Sequence, residues 1–296
     1  MNDPWADRAF LRGTQYKTDA NLAARQSIYA YQRPRVDLAA RVLDLAAPGP
    51  SGPVVDVGCG NGLYLAELAR RGFGGRALGL DLSPGMLAAA RDRLGGLAAA
   101  TGPAAPGPGG PNANPGDPNT SPPDPTPGPP AAVALVSADA TALPLPDGVA
   151  DLALAPHMLY HVPEPADALR ELRRVTRRGG RVVIVLNGAD HLRELRAGVA
   201  AARGTDPGAM GERVRLDDGE VLARSFFPRV TRHDFVAELR VPSPDLIAAY
   251  VRSMSGTSRD ADRDGVAEAV AAAFPRTAEG HYAITSHSGC LICEVG

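Results

Sequence analysis

Apolar positions along the chain fall into two alternating patterns. Short, nearly unbroken apolar runs occupy 54–57, 77–80, 133–136, 152–155 and 182–186, and amphipathic stretches with helical spacing occupy 62–71, 84–94 and 164–176. Brief strands alternating with amphipathic helices predict a parallel sheet covered on both faces, because strands buried on both sides lose the polar alternation of a half-exposed sheet. Upstream, apolar residues from Leu22 to Leu45 recur partly at helical spacing, with Pro34 expected to bend or split the run. Residues 1–48 are therefore read as an N-terminal helical cap or lid, and 49–296 as the main domain. Within 212–227, a hairpin around Asp218-Gly219 and a helix capped by Asp217 or Asp218 both fit. From Arg229 onward the pattern predicts a strand, helices over 245–254 and 262–274, and a final strand pair around Ala283 and Leu291. The region from about 190 to 280 is expected to form a cap on the substrate side.

Composition changes this picture at one place. Residues 101–130 consist almost wholly of Pro, Gly, Ala, Asn, Asp, Ser and Thr, which bury too little apolar surface to offset the entropy of ordering them, so a disordered insertion is expected there. The net charge of -2 offers no global field for nucleic acid or an anionic membrane. No apolar run approaches the roughly 20 residues of a spanning helix, and the N-terminus lacks a basic region followed by an apolar one. Cys59, Cys290 and Cys293 are too few for a disulfide framework. A cytoplasmic protein, monomeric or homodimeric, is expected. The scarcity of lysine, with Lys17 the only one among 31 basic residues, and the abundance of Ala, Gly, Pro and Arg suggest a GC-rich bacterial source.

The candidate chemistry begins at VVDVGCGNG, residues 54–62, where a strand carrying Asp56 runs into a glycine turn and then a helix. Glycines at 58 and 60 permit a sharp turn and close approach of a ligand. A dinucleotide loop reads Gly-x-Gly-x-x-Gly and seats a pyrophosphate. Here Gly62 comes one residue early, and Asp56 lies two residues before Gly58. A carboxylate at that place favours a ligand carrying an ammonium and a sulfonium and repels a pyrophosphate. The second signal is LGLDLSPGML, 78–87, whose Asp81 ends the next strand where a ribose diol is bound in either cofactor class. The third is SADATALPLPDG, 137–148, with Asp139 placed to meet the exocyclic amine of adenine.

With these three segments in order, the chain resembles class I S-adenosylmethionine-dependent methyltransferases, in particular the small-molecule group that includes the ubiquinone and menaquinone methyltransferases. The resemblance is strong over 54–187. It implies an α/β, Rossmann-like fold with a mainly parallel seven-stranded sheet and helices on both faces, S-adenosyl-L-methionine as cofactor, and methyl transfer to a small molecule. It places Asp56, Gly58, Cys59 and Gly60 at the methionine end of the cofactor, Asp81 on the ribose, Leu82 and Met86 beside the adenine, and Asp139 and Ala140 at its edge. APHMLYHVPEP, 155–165, matches the segment after the fourth strand and brings in Pro156. ELRRVTRRGGRVVIVL, 171–186, resembles the helix, glycine turn and fifth strand that follow.

Methyl transfer from a sulfonium mainly requires alignment and exclusion of water, with a base needed only when the acceptor must lose a proton. His157, Tyr160 and His161 follow the fourth strand at the ligand-binding edge, and His161 is the candidate base; the alternative is that both histidines pack against the cofactor or cap the next helix. In TQYKTDANLAARQSIY, 14–29, Tyr16, Arg25 and Tyr29 are candidates on a segment that could fold over the cofactor mouth; the resemblance implies a lid that helps bind substrate and the cofactor carboxylate, and the alternative is an ordinary amphipathic cap with a solvated basic face. The arginines between 170 and 181 are read as a solvated helix C-terminus rather than a nucleic-acid patch, since cations suit that end of the dipole. Cys290 and Cys293 are read as core, with no metal site. Phe226, Phe227, His233, Tyr250, His281 and His287 are expected to shape the acceptor pocket.

Overall fold

A computed structural model describes residues 6–100, 132–206, 213–254 and 263–296. The insertion at 101–130, expected to be disordered, lies outside the described residues.

The N-terminus opens with a helical turn, α1 (Arg8–Phe10), capped by Asp7, whose carboxylate accepts from the N–H groups of Ala9 and Phe10. A π turn over Leu11–Gln15 follows, then α2 (Ala20–Ser27), a 3-10 turn at Ile28–Tyr31, the two-residue strand β1 (Gln32–Arg33) and α3 (Leu38–Ala46). Pro34 thus splits the run rather than bending it. The central alternation is β2 (Val54–Val57), α4 (Leu63–Arg70), β3 (Arg76–Asp81), α5 (Pro84–Ala100), β4 (Ala132–Ser137), β5 (Ala150–Pro156), α6 (Pro165–Val175) and β6 (Thr176–Asn187). The chain continues as α7 (Arg193–Arg203), α8 (Leu216–Arg224), β7 (Arg229–Val241), α9 (Pro244–Ser253), α10 (Arg263–Ala273) and β8 (Tyr282–Glu294).

The strands form one sheet in the order β1-β7-β8-β6-β5-β2-β3-β4. β4, β3, β2, β5 and β6 run parallel, and β8 is antiparallel to both β6 and β7. The chain winds outward from β2 toward β4 and then returns to β5 on the other side, so the crevice for a ligand opens at the carboxyl ends of β2 and β5. The sheet has eight strands where seven were expected. The additional one, β1, pairs only Gln32 with Leu239 and Arg33 with Glu238, too short a stretch to show any alternation. The expected final strand pair is instead one continuous strand, β8. Its Gly289 does not break it, because a Cβ there would lie 2.4 Å from Leu216 Cδ2 and 2.9 Å from the His233 carbonyl; the glycine lets α8 pack on the strand.

Alternation along each inner strand sorts the core. Val55 and Val57, Ala153 and Ala155, and Val182 and Ile184 face a cluster with Leu169, Leu172 and Val175 of α6 and Leu216 of α8. Val54, Leu152, Leu154, Val183 and Val185 face α3 and α4 through Val42, Leu43, Leu65 and Leu68. Each fully buried leucine contributes about 1.5–3 kcal/mol. α3 therefore belongs to the sheet's cover. A third cluster joins Ile28, beside α2, to Leu195 and Val199 of α7, Ile247 and Val251 of α9 and Val270 of α10, so the N-terminal segment and the C-terminal helices share one small core. The 212–227 segment is helical in α8, and Asp218 sits inside it, accepting from the Arg215 N–H at 3.2 Å.

Candidate active site

The glycine turn after β2 is pinned to β3. The N–H groups of Gly58 and Cys59 donate to the Leu80 carbonyl at 2.7 and 3.0 Å, and the Gly60 N–H donates to Asp81 Oδ2 at 2.9 Å. Gly58 has φ of +69°, and a Cβ there would come within 2.6 Å of Met158 Cβ, so only glycine keeps this passage open. Beneath the turn Asp56 is completely buried, and neither carboxylate oxygen has a partner among the described residues. Burial, and then the charge of Asp81, push its pKa up to about 8. Leaving a buried carboxylate without donors costs several kcal/mol, and a cationic ligand seated on the turn removes that cost. Cys59 turns its side chain into the core between sheet and α4, where burial raises its thiol pKa.

Asp81 also accepts the Ser83 N–H on Oδ1 at 2.8 Å. Two backbone donors leave lone pairs on both oxygens for two hydroxyls, the arrangement a ribose diol needs. Burial raises its pKa against the opposing effect of those two donors. Leu82 is half-buried and Met86 is buried beside it. Across the crevice Asp139 accepts from Thr141 N and Oγ1 at 2.9 and 2.8 Å and pairs with Arg8 at 2.5 Å. These bonds outweigh burial and hold its carboxyl below the usual range. Ala140 packs at the margin of the core. An adenine amine at Asp139 would thus share the carboxylate with Arg8, a neighbour the sequence did not announce.

The edge after β5 holds the histidines. Pro156 ends the strand opposite Val185, and His157 follows at φ +53°, its N–H donating to the Val185 carbonyl at 2.9 Å. Desolvation pulls the His157 pKa down to about 4, so the ring is neutral at physiological pH. Tyr160 packs edge-on to His161, with ring centroids 4.5 Å apart, and Tyr16 of the N-terminal segment reaches His161 Nε2 at 2.9 Å through its hydroxyl. Tyr16 is held from behind by Ser83 Oγ, which donates to its carbonyl at 2.7 Å. Asn61 in the glycine turn meets Gln26 of α2 at 3.3 Å. The structure therefore closes the N-terminal segment over the crevice and brings Tyr16, Tyr160 and His161 together. Arg25 lies with its guanidinium 5.4 Å from the Tyr16 ring centroid, and its charge feels the phenols of Tyr16, Tyr250 and Tyr160.

Asp190 and His191 at this edge escaped sequence reasoning. His191, just past β6, is buried; it accepts the His287 N–H on Nδ1 at 3.1 Å and meets Tyr29 Oη with Nε2 at 3.0 Å. Desolvation, followed by the charge of His157, lowers its pKa to about 3. With Nδ1 accepting, the neutral ring carries its proton on Nε2 and donates it to Tyr29. His287 bridges Asp190 at 2.5 Å and Asp234 at 2.8 Å; burial pulls its pKa down, but these carboxylates overcome that and hold it raised. The position of Asp190 and His191 immediately after an inner strand was the available signal. Of the six residues expected to shape the pocket, Tyr250 and His287 lie at this edge. Phe226 lies elsewhere, lining a groove at the opposite end of the sheet with Gly148, Arg170, Arg173 and Val295. The arginine run is also less free than expected. Arg174 binds Glu171, Asp147 and the carbonyls of Leu143 and Leu145, and Arg177 pairs with Asp151.

A doubly covered, mainly parallel sheet with a glycine turn above an unpartnered acid, and further acids closing the next two strands, is the architecture of a class I methyltransferase. The profile described as methyltransferase domain matches residues 29–226, and the chain belongs to that family; it is an S-adenosylmethionine-dependent methyltransferase. Among curated relatives, it is 26% identical over 228 residues to the malonyl-[acyl-carrier protein] O-methyltransferase of Serratia marcescens, covering 74% of this chain and 69% of that one. It is 54% identical over 66 residues to the trans-aconitate 2-methyltransferase of Methylobacterium nodulans, covering 22% and 24% of the two chains. The phosphoethanolamine N-methyltransferase 2 of Haemonchus contortus, solved with S-adenosyl-L-methionine, shares the fold at TM-score 0.56 and 18% identity, over 98% of this chain and 60% of that one. The YcgJ protein of Bacillus subtilis does so at TM-score 0.53 and 16% identity, over 87% and 98%. No helix among the described residues is long and apolar enough to cross a membrane.

Proposed function

We propose that the enzyme methylates a small-molecule acceptor in a site closed by its own N-terminal segment. The observation that carries this is the closure itself. Tyr16 is bonded to both His161 and the Ser83 hydroxyl, and Gln26 to Asn61, so the N-terminal segment narrows the approach to the glycine turn, which favours an acceptor of modest size. The curated relative named for trans-aconitate supports an acceptor of modest size, whereas the one named for malonyl-[acyl-carrier protein] takes its acyl group on a carrier protein.

When bound, S-adenosylmethionine supplies an already activated methyl group on a sulfonium. For this chain we assign the methionine end to Asp56, Gly58, Cys59 and Gly60, the ribose to Asp81, and the adenine to Leu82, Met86, Asp139 and Ala140. Pro156 sets the turn that carries the histidines. Asp56 neutralises the ligand's positive charge, the glycines permit its approach, and the lid excludes water. His161, oriented by Tyr16, is the group placed to take a proton from an acceptor hydroxyl or ammonium, whereas His157 at a pKa of about 4 is too weak a base and serves as a neutral wall. The compositional bias favours a bacterial source, and we place the reaction in the cytoplasm and in specialised metabolism. Incubation with methyl-labelled S-adenosylmethionine and cell extract fractions tests the reading: label should enter the small-molecule fraction, and label confined to RNA or protein overturns it.

A further inference from the structure

Among the described residues Arg25 is a cation without an anion. It projects from α2, its Nε donates to the Asn21 carbonyl at 3.3 Å, and its Nη2 is enclosed with no hydrogen-bond partner. Its surroundings are phenols: Tyr16 beneath the guanidinium, with Tyr160 and Tyr250 near it. No carboxylate among the described residues forms an ion pair with it. A cation–π contact offsets only about 0.5–2 kcal/mol, and an enclosed guanidinium lacking a counter-anion costs more than that. Such a site is completed by a ligand that brings the anion, and the planar fork selects a carboxylate by paired hydrogen bonds.

The geometry also says which side of the crevice Arg25 serves. The face of α2 toward the glycine turn is occupied by Leu22, 3.5 Å from where a Gly60 Cβ would stand, and by Gln26, bonded to Asn61. Around the helix Arg25 stands about 60° from Leu22 and about 100° from Gln26, on the flank where its guanidinium lies over Tyr16 with Tyr160 and Tyr250 near it. Through Tyr16 and Tyr160 it adjoins His161, on the acceptor side, while Asp56 lies under the glycine turn.

We propose that the acceptor is a carboxylic acid, one of whose carboxylates is held by Arg25. The inference rests on the small-molecule reading above, and concerns only the acceptor's recognition group.

Calorimetry on the full chain tests it. The protein is saturated with S-adenosylhomocysteine and titrated with simple carboxylates (malonate, glutarate, trans-aconitate, benzoate) and with the corresponding amides. At least one acid should bind tenfold or more tighter than its amide. Arg25→Gln should abolish that preference while leaving S-adenosylhomocysteine affinity within about threefold of wild type. Arg25→Lys, which keeps the charge but not the fork, should show an intermediate preference and stands in if the glutamine variant does not fold. Amides that bind as well as acids, or an absence of binding by every acid, overturn the proposal. So does a tenfold loss of S-adenosylhomocysteine affinity in Arg25→Gln with unchanged affinity for 5′-methylthioadenosine, which lacks the amino-acid end; that result assigns Arg25 to the cofactor's own carboxylate. Failure of the wild type to bind S-adenosylhomocysteine would instead refute the cofactor site.

Discussion

The buried, unpartnered Asp56 should make the ligand-free protein less stable than it would be without that acid. Its pKa stands near 8 against an ordinary 3.8. Between these values the folded state holds a proton that the unfolded state has released, so stability falls as pH rises, by at most ~1.4 kcal/mol per unit. From 3.8 to 7 that amounts to roughly 4 kcal/mol. Asp56→Asn removes the ionisation but leaves an amide that still lacks partners, at a cost of about 1–3 kcal/mol. The net expectation at pH 7 is a gain of roughly 2 kcal/mol, a rise in Tm of about 4–8 °C for a chain of this size. The advantage should disappear below about pH 4. Thermal melts from pH 4 to 8 without ligand, and again with S-adenosylmethionine, read both parts. With ligand the order should reverse, because the wild type alone offers a charge to the ammonium and sulfonium. An asparagine variant less stable than wild type at pH 8 without ligand would refute the reasoning, since it would mean that Asp56 is paired and structural.

Other consequences are open to direct measurement. S-adenosylmethionine binding should tighten as pH rises from 6 to 8, by no more than tenfold per unit, with net proton release in calorimetry in buffers of different ionisation enthalpy; proton uptake would contradict an Asp56 held protonated in the free site. If His161 is the base, His161→Ala should lower turnover at saturating acceptor about 100-fold or more, and unchanged turnover would leave it a packing residue. Tyr16→Phe, which removes the hydroxyl bond to His161, should cost about 3–10-fold in kcat/KM; an unaltered value would mean that this contact does not orient the site. Leu172→Ala, at a position with no exposure, should destabilise by about 2–5 kcal/mol without changing S-adenosylhomocysteine affinity, as equilibrium denaturation and calorimetry would show.

The parallel core was legible because its strands are buried on both faces and so read as apolar runs. Asp56, Asp81 and Asp139 were legible because each sits at a strand end that the same runs define. What escaped was set by contacts distant in sequence. Tyr29 meets His191 across 162 positions, and Tyr16 meets His161 across 145. No local pattern announces either pair. Arg8 on Asp139 has the same character. β1 was missed because two residues have no period, and a strand pair was expected where β8 runs on unbroken through Gly289, over which Leu216 packs. The arginines after 170 look alike in sequence, yet Arg174 ties down the loop before β5 while Arg170 lies over Phe226, 5.8 Å from its ring centroid. Pairing, and not composition, separates them.

The central claim is that Asp56 beneath the glycine turn is the counter-charge for the cofactor. A crystal structure with S-adenosylhomocysteine tests it most directly. The ligand's ammonium should lie on the Asp56 side of the Gly58 turn, directly or through one water, with the ribose on Asp81 and the sulfur facing the His157–His161 turn. Asp56 still without a partner in the bound state, or the ligand seated away from the carboxyl ends of β2 and β5, would contradict it.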